Sequence, residues 1–364
     1  MSSFVPLRDA GPACGAKATA LGRLARAGFA VPDGVVLPAG AGAGWERELP
    51  DVLEDLGGSR FAVRSSALAE DGRQASFAGQ FRTSLDVPAD AVEAHVRRTA
   101  AAVEEARAYA SAVDQSAPGG VAVVVQRMLA PVAAGVAFTR DPVTGRRLVM
   151  IEAVRGLGDR LVSGEEHPER WQITPDDIPR RSGSPEVLGA EQAAAVGRVA
   201  TRVERLLGGG QDVEWAMAGG QVWTLQARPI TTAPATTTPT DALGSAAPAP
   251  DPTTAAVSLL SGTPASPGTA RGRVRIVDSL DGFSRFVPGE VLVCRATSPA
   301  WTPLLTRAAA VVTTRGGVLS HAAIVARELR IPAVTDVGSA LNLPDGALVD
   351  VDGSAGTITA LETR

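Results

Sequence analysis

At 364 residues the chain is long enough for two or three domains. Its hydrophobic content of 45% and charged content of 20% fit a soluble globular protein, and a net charge of -4 argues against non-specific binding to nucleic acid. Cys14 and Cys294 lie too far apart for a metal motif or a disulfide framework, which points to a reducing cytoplasm. Met1–Asp9 lacks a leader pattern, and no apolar run approaches the roughly 18 residues that span a bilayer, so no membrane partner is expected.

In chain order, Lys17–Ala27 reads as a helix stopped at Gly28, and Arg60–Arg64 as a short strand. Ala91–Ala112 reads as a long helix. Val121–Met128, Gly135–Thr139 and Leu148–Ala153 read as strands, with a turn at Asp141-Pro142-Val143-Thr144-Gly145. Glu191–Leu207 is a helix with its apolar residues mostly on one side. Asp212–Met217 and Gln221–Gln226 form a hairpin around Gly219-Gly220. This mixture predicts an α+β domain with antiparallel sheets over residues 1–230. From Thr231 to Val257 the chain is rich in Thr, Pro and Ala and has no apolar period, as in a linker. Its roughly 27 residues reach about 30 Å as a coil and about 80 Å as polyproline II. Residues 258–364 form another unit, with strands at Gly272–Val277, Val291–Cys294, Ala309–Thr313, Ala333–Asp336, Leu348–Asp352 and Thr357–Leu361.

His321 sits in Thr313-Thr314-Arg315-Gly316-Gly317-Val318-Leu319-Ser320-His321. Ser320 is placed to cap a helix whose apolar stripe is Ala322, Val325, Ala326 and Leu329. The imidazole then stands at a helix N-terminus, where free N–H groups and the helix dipole favour an anion; that setting suits a histidine carrying a phosphoryl group. Earlier in the chain, Arg64 begins a polar, Gly-punctuated stretch that runs to Thr83, of a kind able to close over phosphates. Glu214 and Gln226, on the two arms of the hairpin, are placed to face one ligand. A carboxylate, an amide and phosphate oxygens make an ordinary Mg²⁺ environment.

Together these pieces resemble the phosphohistidine dikinases: pyruvate phosphate dikinase, phosphoenolpyruvate synthase and rifampin phosphotransferase. The blocks are Gly15-Ala16-Lys17-Ala18, Arg64-Ser65-Ser66, Ser76-Phe77-Ala78-Gly79-Gln80, Asp212-Val213-Glu214-Trp215, Gln226-Ala227-Arg228-Pro229-Ile230 and Gly316–Glu328. The resemblance implies an α+β / α/β multidomain fold, with an ATP-grasp domain linked to a swivelling β/β/α phosphohistidine domain. It implies that Lys17, Arg64, Gly79, Thr83, Gln126, Glu214, Gln226 and Arg228 contact ATP, that Glu214 and Gln226 hold Mg²⁺, and that His321 carries the phosphoryl group. It further implies capture of the β-phosphoryl, release of AMP and phosphate, and delivery to a small-molecule acceptor or to a separate acceptor protein. Ala16 and Ala18 replace the glycines usual beside the lysine, and Leu319 stands where the dikinases acting on pyruvate usually carry Thr. With the chain ending at Arg364 and no pyruvate barrel after the histidine domain, the expected acceptor is something other than pyruvate. A stand-alone phosphoenolpyruvate synthase-like enzyme and a non-catalytic nucleotide sensor are the alternatives.

Overall fold

The computed structural model describes residues 2–68, 83–101, 120–141, 145–162, 168–174, 180–182, 186–230, 256–298, 301–318 and 320–361. Gly79, Leu319, the expected linker up to residue 255, the end of the expected helix Ala91–Ala112 and most of the polar stretch after Arg64 lie outside them. The chain forms two compact units, the first holding most of the residues up to Ile230 and the second those from Thr231 onward.

The Val-rich run at 121–125 has no polar alternation, which is the pattern of a strand buried on both faces. It forms β5 (Val121–Arg127), the centre of a sheet with β1 (Val5–Pro6), β2 (Gly34–Leu37), β3 (Arg60–Ala67) and β4 (Thr83–Pro88), in the order β1-β2-β5-β3-β4 with every pair antiparallel. Val123 and Val125 pack with Phe61 and Val63 on Leu49 and Leu53 of the helix Trp45–Leu56. Val124 and Ala122 point to the other side, toward Leu21 and Leu24 of the helix Gly15–Arg26. Pro50 lies inside Trp45–Leu56, and such a helix breaker hides the element from a propensity reading.

The second sheet of this unit joins β6 (Ala133–Phe138), β7 (Val149–Arg155), β8 (Glu169–Ile173), β9 (Arg180–Ser182), β10 (Gln211–Ala218) and β11 (Gln221–Pro229) in the order β11-β10-β6-β7-β8-β9, again antiparallel throughout. Val196, Ala200 and Val203 of the helix Ala190–Leu207 pack in its core. The expected hairpin is present: Gly219 and Gly220 have φ of 59° and 74°, the left-handed pair that a two-residue hairpin turn requires. Two expectations change. β3 continues through Ala67, so Arg64, Ser65 and Ser66 are buried strand residues and not the start of a polar loop. β11 continues to Pro229, so Gln226 and Arg228 share one strand.

The second unit is one eight-stranded sheet made of β12 (Ala256–Ser261), β13 (Thr263–Ser266), β14 (Thr269–Ile276), β15 (Val291–Cys294), β16 (Ala310–Thr313), β17 (Ala333–Thr335), β18 (Leu348–Asp352) and β19 (Thr357–Leu361). Its order is β12-β19-β18-β14-β15-β16-β17-β13. β14 to β17 run parallel and the outer pairs antiparallel. β15, β16 and β17 are buried along their whole length, as parallel strands covered on both faces must be. One face packs on the helix His321–Leu329 through Ala322, Val325 and Ala326. The other closes over Val274, Val293, Val312, Val334 and Val349. Among the described residues no helix is long and apolar enough to cross a membrane.

Candidate active site

The first cluster begins where the helix Gly15–Arg26 meets β3. Gly15 has φ of 82°, and a Cβ there would lie 2.3 Å from the carbonyl oxygen of Ser66, so only glycine lets the helix start this close to the strand. Ala18 N–H donates to Ser66 Oγ at 3.0 Å, and Lys17 Nζ donates to the Ser65 carbonyl at 3.0 Å. Lys17 is thereby anchored, buried, beside Arg64. The close approach is made by Gly15, which leaves room for the alanines flanking Lys17.

Arg64 reaches from β3 to the hairpin of the other sheet. Its Nη1 lies 3.3 Å from Glu214 Oε2 and 3.4 Å from the Leu225 carbonyl, and its buried Nε has no partner. Glu214 and Gln226 are direct cross-strand partners, as are Asp212 and Arg228. The period of two turns Val213, Trp215 and Met217 into the core and leaves Asp212 and Glu214 on the opposite face. Asp212, Glu214, Gln226 and Arg228 therefore line one face of the hairpin. Arg228 Nε donates to Asp212 Oδ2 at 2.8 Å and is held in place by it. Thr83, exposed, is the β4 neighbour of Arg64. Gln126 shares the Arg64 face of its sheet, opposite Ala62, but its amide is committed to the Pro32 carbonyl at 3.1 Å. The structure thus brings Lys17, Arg64, Thr83, Glu214, Gln226 and Arg228 into one neighbourhood, with Gln126 at its edge.

Glu214 and Gln226 offer a carboxylate and an amide at one point of the hairpin. Among the described residues no three His, Cys, Asp or Glu side chains gather as a metal site. A two-donor protein set suits Mg²⁺, which binds through one or two protein groups and completes its shell with water and substrate phosphates. Asp212 is the residue that sequence reasoning left out of this face. Its signal was its place two residues before Glu214 and opposite Arg228.

The second cluster follows β16. Gly316 has φ of 104°, and a Cβ there would stand 2.8 Å from Ser320 Cβ. Ser320 Oγ donates to the Gly317 carbonyl at 2.9 Å and accepts from Ala323 N–H at 3.4 Å, capping the helix that His321 opens. The imidazole is only 6% exposed. Nδ1 lies 2.8 Å from Thr297 Oγ1, while Nε2 has no partner. Burial pushes the His321 pKa down to about 4, so the ring is neutral at physiological pH. In the tautomer with its proton on Nδ1, the ring donates to Thr297 and presents a lone pair at Nε2. Thr297 was not foreseen. It sits just beyond β15, and the β15–β16 pairing that brings it to His321 is a tertiary fact.

Residues 43–179 and 174–243, together more than half of the chain, match the family described as pyruvate phosphate dikinase, AMP/ATP-binding domain. Residues 286–356 match the family described as PEP-utilising enzyme, mobile domain. The chain belongs to the pyruvate phosphate dikinase family. The first match contains Arg64, Thr83, Gln126, Glu214, Gln226 and Arg228, with Lys17 lying before it; the second contains Thr297 and His321. A probable phosphoenolpyruvate synthase of Methanothermobacter thermautotrophicus is 35% identical over 328 residues, covering 82% of this chain and 46% of that protein. Its counterpart in Archaeoglobus fulgidus is 36% identical over 328 residues, covering 82% and 43%. The phosphoenolpyruvate synthase of Escherichia coli is 31% identical over 342 residues, covering 81% and 42%. The chain thus spans a little under half the length of these relatives. The expected α+β fold of two units agrees with these matches.

Proposed function

We propose that this chain is an ATP-dependent phosphotransferase of the dikinase type that phosphorylates its own His321. The observation that carries the reading is the His321 ring itself, a buried, neutral imidazole with Nδ1 held by Thr297 and Nε2 unpartnered at a capped helix N-terminus. Its lone pair forms the N–P bond as the P–O bond to the leaving group breaks, and the Nδ1 proton stays on the ring, shared with Thr297. Lys17, Arg64 and Arg228 hold phosphate oxygens and offset the charge that builds on them, the main lever in phosphoryl transfer. Mg²⁺, held by Glu214 and Gln226 with nucleotide oxygens, supplies further charge neutralisation when bound. Arg64 already sits on Glu214 and Arg228 on Asp212, so with Lys17 the cluster keeps a net positive charge that favours a phosphate.

By resemblance to the family, the phosphoryl captured is the β one. ATP, water and His321 then give phosphohistidine, AMP and inorganic phosphate, with atoms balanced. ATP labelled separately at each phosphorus tests this. Acid-labile β label on His321, with AMP released, supports the reading. Label on His95 or His167 sinks it, and γ label with ADP makes the protein an ordinary kinase. For the second half-reaction we propose a small-molecule acceptor, with delivery to a separate protein as the alternative. The names of the relatives make pyruvate the first acceptor to assay, against the expectation from Leu319. Phosphoenolpyruvate formed from pure chain, ATP, Mg²⁺ and pyruvate would overturn that expectation.

A further inference from the structure

Six arginines of the second unit are committed to partners. Arg271 pairs with Asp350, Arg275 with Glu290 and Asp345, and Arg285 with Asp345. Arg273, Arg307 and Arg327 bond backbone carbonyls. Arg295, Arg315 and Arg330 differ: all three are exposed, and among the described residues none of their guanidinium groups makes a hydrogen bond or ion pair. Of these, the backbone sets Arg295 and Arg315 side by side. Arg315 N–H donates to the Arg295 carbonyl at 3.0 Å, just past the last β15–β16 pair, Cys294 and Thr313. Arg295 opens the loop that holds Thr297, and Arg315 opens the loop that leads through Gly316 and Ser320 to His321. These loops leave the carboxyl ends of adjacent parallel strands, the usual place for a ligand in such sheets.

We propose that Arg295 and Arg315 are the phosphoryl-holding pair of this site, gripping the dianionic group once it is bonded to His321 Nε2. The inference rests on the phosphohistidine reading above. Arg295 and Arg315 start from adjacent backbone positions and neither guanidinium is engaged with a carboxylate among the described residues, so their like charges are not offset there. A phosphoryl group of about two negative charges offsets them and matches their planar forks. The buried, neutral imidazole brings no charge to compete with the pair. The N-terminus of the His321 helix adds its own partial positive charge toward such a group.

The test loads the full chain with potassium phosphoramidate, a small donor that needs no nucleotide. Its N–P bond breaks, ammonia leaves and Nε2 bonds phosphorus; mass spectrometry confirms His321 as the site. The phosphoryl group is then titrated by ³¹P NMR in the wild type, R295A, R315A, the double alanine variant and the double lysine variant. Both side chains are exposed and the bond between them uses backbone atoms only, so these variants should fold. In the wild type the phosphoryl ionisation should lie below its ordinary value of about 6. Each alanine change should weaken proton release roughly threefold to tenfold, and the lysine pair should restore most of it. Superimposable curves for the wild type and the double alanine variant overturn the proposal, as does failure of the wild type to load. A wild type that loads from phosphoramidate, shows the shifted titration and takes no label from ATP leaves this inference standing while the ATP reaction fails.

Discussion

At the scale of single residues, His321 and Glu214 make opposite uses of burial. His321 is desolvated with one ring nitrogen occupied by Thr297, so folding favours its neutral form. Its folded pKa of about 4 lies below the ordinary 6.5, so the unfolded chain binds the proton more readily. Stability should therefore fall as pH drops from about 6.5 to about 4 and change no further from this group below that, by at most about 3 kcal/mol. His321→Asn should flatten that part of the stability–pH curve, measured by denaturant melts. A curve of unchanged shape would mean that the ring charges freely in the folded chain. For the same reason, labelling of His321 by ATP should show no histidine titration between pH 5 and 8. Glu214 is half-buried and salt-bridged to Arg64. Glu214→Gln keeps an oxygen for Arg64 but loses the charge, so the chain should melt normally while labelling in Mg²⁺ drops about 10²-fold or more. Near-normal labelling would return Glu214 to a purely structural pairing. Arg228→Ala should also abolish labelling. Because it strips Asp212 of an ion pair, its melting temperature must be read beside its activity.

At the scale of elements, both clusters depend on close approach at a glycine followed by a side-chain cap or clamp. The helix Gly15–Arg26 docks on β3 through Gly15 and the Ser66 hydroxyl. The helix His321–Leu329 is aimed by Gly316 and the Ser320 cap. Gly316→Ala places a Cβ 2.8 Å from Ser320 Cβ at a φ of 104°, so both the turn and the cap must shift. The expected cost is about 2 kcal/mol or more, with loss of labelling out of proportion to the loss of stability. Ser320→Ala, which removes the cap alone, should cost about 1 kcal/mol. Thermal melts and label incorporation on both variants check the ordering; a Gly316→Ala chain that labels at the wild-type rate would show that the turn does not aim the imidazole.

At the scale of the whole molecule, the residues proposed to bind the nucleotide and His321 belong to different compact units. The proposed reaction requires His321 to meet ATP in one half and an acceptor in the other, a hinge-type movement. Deleting about ten residues from the Thr/Pro/Ala-rich stretch Thr231–Val257 should therefore slow complete turnover, whereas loading of His321 from phosphoramidate should be untouched. Equal rates of both half-reactions before and after the deletion would rule out a tethered carrier.

Local chemistry was legible in the sequence wherever it depends on neighbours along the chain. The Ser320 cap, the apolar stripe of the His321 helix, the Gly219-Gly220 hairpin and the shared face of Glu214 and Gln226 all follow from periods of 3.6 and 2 and from the conformational freedom of glycine. What the sequence could not show depends on which distant strands pair. Ser65-Ser66 reads as polar loop in sequence and is buried strand in the fold, because β5 pairs with it and Lys17 and Ala18 bond the Ser65 carbonyl and Ser66 hydroxyl from another element. Asp212 becomes the clamp of Arg228 only once β10 and β11 are in register. Thr297 reaches His321 only because β15 lies parallel to β16, and a backbone bond just past that pairing sets Arg295 beside Arg315. Spacing along a chain decides which side chains share a face; strand register, which rests on the packing of whole faces against a core, decided which faces meet.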